Sequence, residues 1–174
     1  MQETIALDLA CGCGRDLVFL ALRDWGRVVG IDYLPEQLER TKQLSRNHQV
    51  KDGKIELVER DLEASGLPLL EFPGTCHLVT VARYLHRPHF AELKKLLKPG
   101  GILVYHTFMK GCENSAIGRP RRPQFLLQPG ELAENFNPST GFEIIADRVV
   151  NIHDGRPTSF FVARRLSENT TENS

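Results

Sequence analysis

Asp8-Leu9-Ala10-Cys11-Gly12-Cys13-Gly14 follows the apolar run Thr4-Ile5-Ala6-Leu7 and precedes Leu17-Val18-Phe19-Leu20-Ala21-Leu22. An apolar strand, a glycine turn and a helix start together make the front half of a nucleotide cradle on a parallel sheet. Gly12 and Gly14 let the backbone turn sharply out of the strand and meet a ligand with no Cβ in the way. A dinucleotide cradle carries a third glycine three residues later, and Leu17 stands there instead. Asp8 opens the motif, where its carboxylate can reach a bound amine directly or through water. That combination favours a zwitterionic amino-acid tail over a pyrophosphate on the helix N-terminus.

Further landmarks follow in order. Val28-Val29-Gly30-Ile31 ends in Asp32, the place from which a carboxylate accepts hydrogen bonds from ribose hydroxyls. Ile55-Glu56-Leu57-Val58 leads into Asp61-Leu62. His77 to Ala82 reads as a fourth strand, and Leu96-Leu97-Lys98-Pro99-Gly100-Gly101 as a helix stop before a fifth. A glycine turn between strand and helix also occurs for packing alone. Carboxylates at three successive strand ends, however, have no packing use, and such sheets bind ligands at that edge.

Acidic, any, small, any, Gly, any, Gly, followed by Asp32, Asp61 and the Leu-Lys-Pro-Gly-Gly turn, resembles the signature of class I S-adenosylmethionine-dependent methyltransferases. The resemblance implies an α/β, Rossmann-like fold with helices on both faces of a seven-stranded, mostly parallel sheet. Its strand order would be 3-2-1-4-5-7-6 with one antiparallel strand. It implies S-adenosyl-L-methionine as cofactor, with contacts from Asp8, Ala10, Gly12, Gly14, Arg15, Asp32, Tyr33, Asp61, Leu62 and Ala82. Residues 83–88, with 97–101, 105–111 and 118–132, look like a group of small methyltransferases related to the tellurite-resistance enzymes. A small, soft or anionic acceptor is what that likeness implies. Many relatives carry N-terminal helices that help cover the cofactor. Here strand one begins about three residues from the start, so an open pocket, cover by a partner chain or homodimer, and a longer parent protein all remain possible readings.

Composition suits one domain. The chain has 174 residues, 41% hydrophobic and 25% charged, enough for a sizeable core. Lys plus Arg equals Asp plus Glu at 22 each, so no global charge draws it to nucleic acid or membrane. Neither a long apolar span nor a basic-then-apolar leader is read, and the expectation is a cytoplasmic protein. Cys11, Cys13, Cys76 and Cys112 have no metal-ligand spacing, so reduced thiols and no metal are expected. Asn169-Thr170-Thr171 matches a glycosylation sequon by accident.

The chain divides as follows. Residues 1–166 are expected to form the domain and 167–174 a polar, disordered tail. Strands are expected near 4–8, 27–32, 55–58, 77–82, 102–107, 142–151 and 158–164, the last two a hairpin turning at Asp154-Gly155. Helices are expected from Arg15 to about Trp25, from Pro35 to about Asn47, from Pro88 to Leu97, and from Pro129-Gly130 to about Phe136. Residues 62–76 read as an irregular crossover. Residues 108–128 form a long loop of the kind that is functional or disordered.

Candidate acceptor-side residues lie after the fourth strand. His86 reads as the best base and Tyr84 as a positioning group; the alternative readings are a helix-start cap for His86 and a pocket wall for Tyr84. Arg83 and Arg87 offer clamps for an anion. Lys110, Arg119, Arg121 and Arg122 on the long loop suit a small anion or the phosphates of RNA. Aromatic residues for base stacking are scarce beside those charges. No Asn-Pro-Pro-Tyr, Asp-Pro-Pro-Tyr or Pro-Cys follows strand four, so the usual marks of exocyclic base N-methylation and of cytosine C5-methylation are missing. A methyltransferase acting on a small molecule is therefore expected. The alternatives are an RNA or protein methyltransferase and a catalytically silent cofactor-binding partner subunit.

Overall fold

Strict alternation along the first strand sorts the molecule into two cores. In β1 (Ile5–Leu9), Leu7 and Leu9 face one side of the sheet, while Ala6 faces the other. The computed structural model describes residues 3–64 and 72–167. After β1 come α1 (Arg15–Ala21), β2 (Arg27–Asp32), α2 (Pro35–Asn47), β3 (Ile55–Glu59), β4 (Cys76–Ala82), α3 (His89–Leu96), β5 (Leu97–Phe108), α4 (Glu131–Asn135), β6 (Phe142–Asn151) and β7 (Pro157–Arg165). The seven strands pair in the order β3-β2-β1-β4-β5-β7-β6. Strand β7 runs opposite to the other six, so its pairings with β5 and β6 are antiparallel and the remaining ones parallel. The Rossmann-like class I arrangement expected from the sequence is present.

The larger core lies under α3 and α4. There Phe90, Leu93, Leu96, Leu132 and Phe136 cover Leu7, Val29, Val79, Leu103 and Phe161. On the opposite face Leu17, Leu20 and Ala21 of α1 pack on Ala6, Val28 and Leu78. Leu17 explains its own presence in the motif. A Cβ on Gly30 would stand 2.5 Å from Leu17 Cδ2, so the room that a third glycine gives other cradles is supplied here from β2. Beyond β4 this face is thinly covered: Phe19 is 56% and Phe160 39% exposed beside a shallow apolar groove.

Two boundaries differ from the sequence reading. Helix α1 ends at Ala21 rather than near Trp25, because the Leu22 N–H makes the last i−4 bond, to the Val18 carbonyl, and the Arg23 N–H tightens to the i−3 carbonyl of Leu20. The chain must then turn so that Gly26 lies against Thr4, where a Cβ would meet the Thr4 backbone nitrogen at 2.9 Å. Likewise α3 stops at Leu96, and Lys98 to Gly101 form part of β5 rather than a turn before it. Cys76 pairs with Leu97 and Leu78 with Ile102, so the Pro-Gly-Gly stretch is a bulge in the strand. Of the crossover read over 62–76, residues 65–71 lie outside the described residues, as do residues 168–174 of the tail.

The long loop after β5 is tied down. Met109 and Leu127 bridge, Cys112 Sγ lies 3.1 Å from the Pro157 carbonyl, and Arg156 Nη1 donates to the Arg119 carbonyl at 3.1 Å. Single 3-10 turns occupy Cys112–Asn114 and Pro123–Phe125.

Candidate functional site

The strand order reverses between β1 and β4, and clefts open at the C-terminal ends of those strands, where open α/β sheets bind ligands. One cleft of about 480 Å³ is bounded by Asp8, Gly12, Arg15, Ala82, Arg83 and His106. A second of about 310 Å³ is bounded by Asp32, Tyr33, Asp61, Leu62 and Tyr84. Ala10 lines both. Together they are of the size and place expected for a cofactor.

The glycine loop between them is built by its neighbours. Gly12 and Gly14 take φ of 54° and 75°, a backbone region that disfavours side chains. Cys11 N–H donates to the Ile31 carbonyl at 3.0 Å, continuing the β1–β2 ladder into the loop. The Gly12 N–H donates to Asp32 Oδ2 at 2.8 Å, and Leu34 N–H to Oδ1 at 3.0 Å. Thr41 of α2 donates its hydroxyl to the Gly12 carbonyl at 3.0 Å, and its methyl carbon lies so close that a Cβ on Gly14 would stand 2.3 Å from it. A Cβ on Gly12, by contrast, would meet nothing within 4 Å. The loop is thus fixed from behind and bare in front.

Asp8 is 2% exposed, with the Thr80 hydroxyl 2.7 Å from its Oδ1. Burial pushes its carboxyl up to about 7, opposed by the Thr80 hydrogen bond and reinforced by Asp16 and Asp32. Asp8 has no ion pair among the described residues, and a buried carboxylate so placed favours a cationic ligand group beside it. Ala10 and Arg83 are non-glycine residues at φ 54° and 58°, both on the cleft walls, and the strain of such backbone concentrates at functional sites. The Arg83 N–H donates to the His106 carbonyl at 2.7 Å, which ties the end of β4 to β5.

All ten residues read as cofactor contacts gather here except Gly14, which is buried behind the loop against Thr41. Tyr84 lines the second cleft, its hydroxyl buried without a hydrogen-bond partner among the described residues. Burial and then the carboxylates of Glu63 and Asp61 raise its pKa well above the ordinary phenol value. His86 lines neither cleft; its ring lies tilted against that of His89 with centroids 4.5 Å apart, and its Nδ1 lies 4.0 Å from Glu63. Arg87 is spent on structure. Its guanidinium holds both Glu131 oxygens and donates to the Gln124 and Leu126 carbonyls at 3.0 Å, which anchors α4 and the loop before it. Arg121 Nε donates to the Gly118 carbonyl at 2.7 Å. Lys110, Arg119, Arg121 and Arg122 are exposed and line neither cleft.

Sequence reasoning missed His106, Asp16, Arg60 and Glu63 on the cleft walls. For His106 a signal existed: Leu103 and Tyr105 face the large core, so period-two alternation puts His106 on the opposite face, level with Ala82.

The fold and the cleft define a class I methyltransferase domain. Residues 6–101 match the family model described as a methyltransferase domain. This is more than half of the chain, and the chain belongs to that family, whose cofactor is S-adenosylmethionine. An uncharacterised protein of Schizosaccharomyces pombe, UNK4.09, is 24% identical over 192 residues, covering 92% of this chain and 56% of its own length. The chain therefore spans about half the length of that curated relative. Among solved structures, a S-adenosylmethionine dependent methyltransferase from Mesorhizobium loti superposes with a TM-score of 0.69 at 19% identity, covering 94% of this chain and 91% of the other. The [4+2]-cyclase SpnF superposes at 0.72 with 17% identity, covering 95% and 76%. These structural likenesses concern the fold.

No helix of the described residues is long and apolar enough to cross a membrane.

Proposed function

We propose that the chain transfers a methyl group from S-adenosylmethionine to a small-molecule acceptor. The observation that carries the reading is the pair of joined clefts over the β1/β4 switch, with a bare glycine loop and carboxylates from Asp8, Asp32 and Asp61 on their walls. The residues fit the cofactor. Asp8 would take the ammonium of its amino-acid tail, Asp32 the ribose hydroxyls with the oxygen lone pairs left beside Gly12 and Leu34, and Tyr33, Asp61 and Leu62 the base. When bound, S-adenosylmethionine supplies an electrophilic methyl group, and the protein's part is alignment.

Two features support a small acceptor. The free space bounded by Arg15, Arg83 and His106 is a concave cleft, and the loop cations that would grip a polynucleotide lie outside it. The likeness of residues 83–88 to tellurite-resistance-type methyltransferases supports a soft or anionic acceptor. The basic loop keeps RNA as the competing substrate, and a steep loss of binding with salt would favour it.

Calorimetry tests the cofactor. S-adenosylhomocysteine is expected to bind and NAD is not, because Leu17 and Asp8 replace the features that hold a pyrophosphate; tight NAD binding alone would end this reading. Asp32→Ala should weaken S-adenosylhomocysteine binding by about 2–3 kcal/mol, since charge-assisted bonds to ribose are lost and the Gly12 N–H loses its acceptor. Circular dichroism should show the variant folded. An unchanged dissociation constant would mean that another group holds the ribose.

A further inference from the structure

We propose that His106 takes the proton of a protic, uncharged or anionic acceptor, and that Thr158 holds its imidazole in the tautomer this requires. The proposal rests on the methyltransferase reading above and names the acceptor chemistry of the same cleft. His106 lies on β5 opposite Ala82 of β4 and Phe160 of β7, so its ring stands on the cleft face of the sheet. Its Nε2 is 3.1 Å from the Thr158 hydroxyl, and Thr158 is fully buried. That hydroxyl lies 2.7 Å from the Val150 carbonyl. A hydroxyl has one proton and the carbonyl can only accept, so the proton goes to Val150 and the oxygen accepts from Nε2–H. The lone pair of the neutral ring is then on Nδ1. No hydrogen bond of the described residues engages that nitrogen, and it is not among the buried unpartnered atoms.

The surroundings favour the neutral ring. Burial and then Arg83 lower its pKa from the ordinary value, against Asp16 of α1, which raises it. Asp8 of β1 and Arg15 at the start of α1 line the same cleft, and Arg148 of β6 pairs with Phe160 one strand beyond. Arg15 and Arg83 are exposed on the cleft wall and have no ion pair among the described residues, which disfavours a cationic acceptor and suits an anionic one. An oxygen, sulfur or nitrogen nucleophile would give its proton to Nδ1 as its electron pair bonds to the methyl carbon. The pair of the broken carbon–sulfur bond stays on sulfur, so charge and atoms balance. Thr158 touches no reacting atom. It is a positioning residue, acting through the ring.

Nitrogen-15 spectra of the histidines in the cofactor-free protein, with the signal assigned by His106→Gln, test the tautomer. The native protein is expected to show Nε2–H with a bare Nδ1. Thr158→Ser should keep that signature, while Thr158→Val should lose it to a tautomer mixture. A native ring protonated at Nδ1 with Nε2 bare, or a Thr158→Val spectrum identical to the native one, overturns the proposal. With S-adenosylhomocysteine present, 4-hydroxybenzoate or 2-mercaptobenzoate should shift the His106 signals and tyramine should not; silence from both acids, or a response to tyramine alone, also overturns it. Thr158→Val should bind S-adenosylhomocysteine within about threefold of the native protein. A tenfold loss would place the pair in the donor's cradle and refute the acceptor role. Native protein that binds no S-adenosylhomocysteine instead refutes the methyltransferase reading, whatever the tautomer.

Discussion

Asp8→Asn should make the chain more stable than the native protein above neutral pH, with the difference vanishing in acid. The folded state raises this carboxyl from 3.8 to about 7 through burial, while the unfolded chain ionises it in the ordinary range. Below pH 4 both states carry the proton, and the residue costs nothing. As pH rises towards 7, the unfolded state releases its proton and the folded state keeps it, so stability falls, and above 7 the penalty is constant. Three pH units at 1.36 kcal/mol each set a ceiling of about 4 kcal/mol, and relaxation of the loop brings the expected gain for Asn to about 2–4 kcal/mol. Urea unfolding of both proteins at pH 4.5 and pH 8 measures it; equal differences at the two pH values would show that Asp8 titrates normally. The same variant should lose cofactor affinity, since a cationic amine beside the carboxylate offsets its burial. Binding of S-adenosylhomocysteine to the native protein should accordingly release a proton near neutrality, visible as a buffer-dependent enthalpy. The buried acid is thus a destabilising group that a cationic ligand relieves.

Phe136→Ala is expected to destabilise the fold by about 3–5 kcal/mol, at the upper end for a single core truncation. The ring is fully buried just past α4 and packs edge-on against Phe90 and Phe142 at centroid distances of 5.7 and 5.3 Å, with Phe161 at 6.2 Å. One side chain therefore joins α3, the start of β6 and the centre of β7. Its loss leaves a cavity between elements that cannot all close in, since the sheet is fixed by its ladders and α4 by the Arg87–Glu131 pair. The urea midpoint should fall with the slope unchanged. Phe136→Leu should cost far less, and equal losses for the two would mean that the site tolerates no change of shape rather than that it needs the volume.

Much of this architecture is local in origin and could be read from the sequence. The alternation of Ala6 against Leu7 and of Leu78 against Val79 follows from a period of two, and Pro35 opens α2 because its fixed φ suits a first helical turn. Asp8, Asp32 and Asp61 could be placed at one sheet edge because each follows an apolar run, and parallel strands put all such ends on one side. Tertiary structure decided what depends on register and on partners distant in sequence. Whether Lys98 to Gly101 is a turn or a bulge rests on Cys76 pairing with Leu97. Whether Arg87 is free for a substrate rests on Glu131, 44 residues away. His106 became a cleft residue, and His86 did not, because the β4–β5 and β5–β7 ladders set which side chains share a row, and the tautomer of His106 depends on a threonine 52 residues further on. A residue's type states what chemistry it can do, but its direction and its partners are fixed only when distant strands come together.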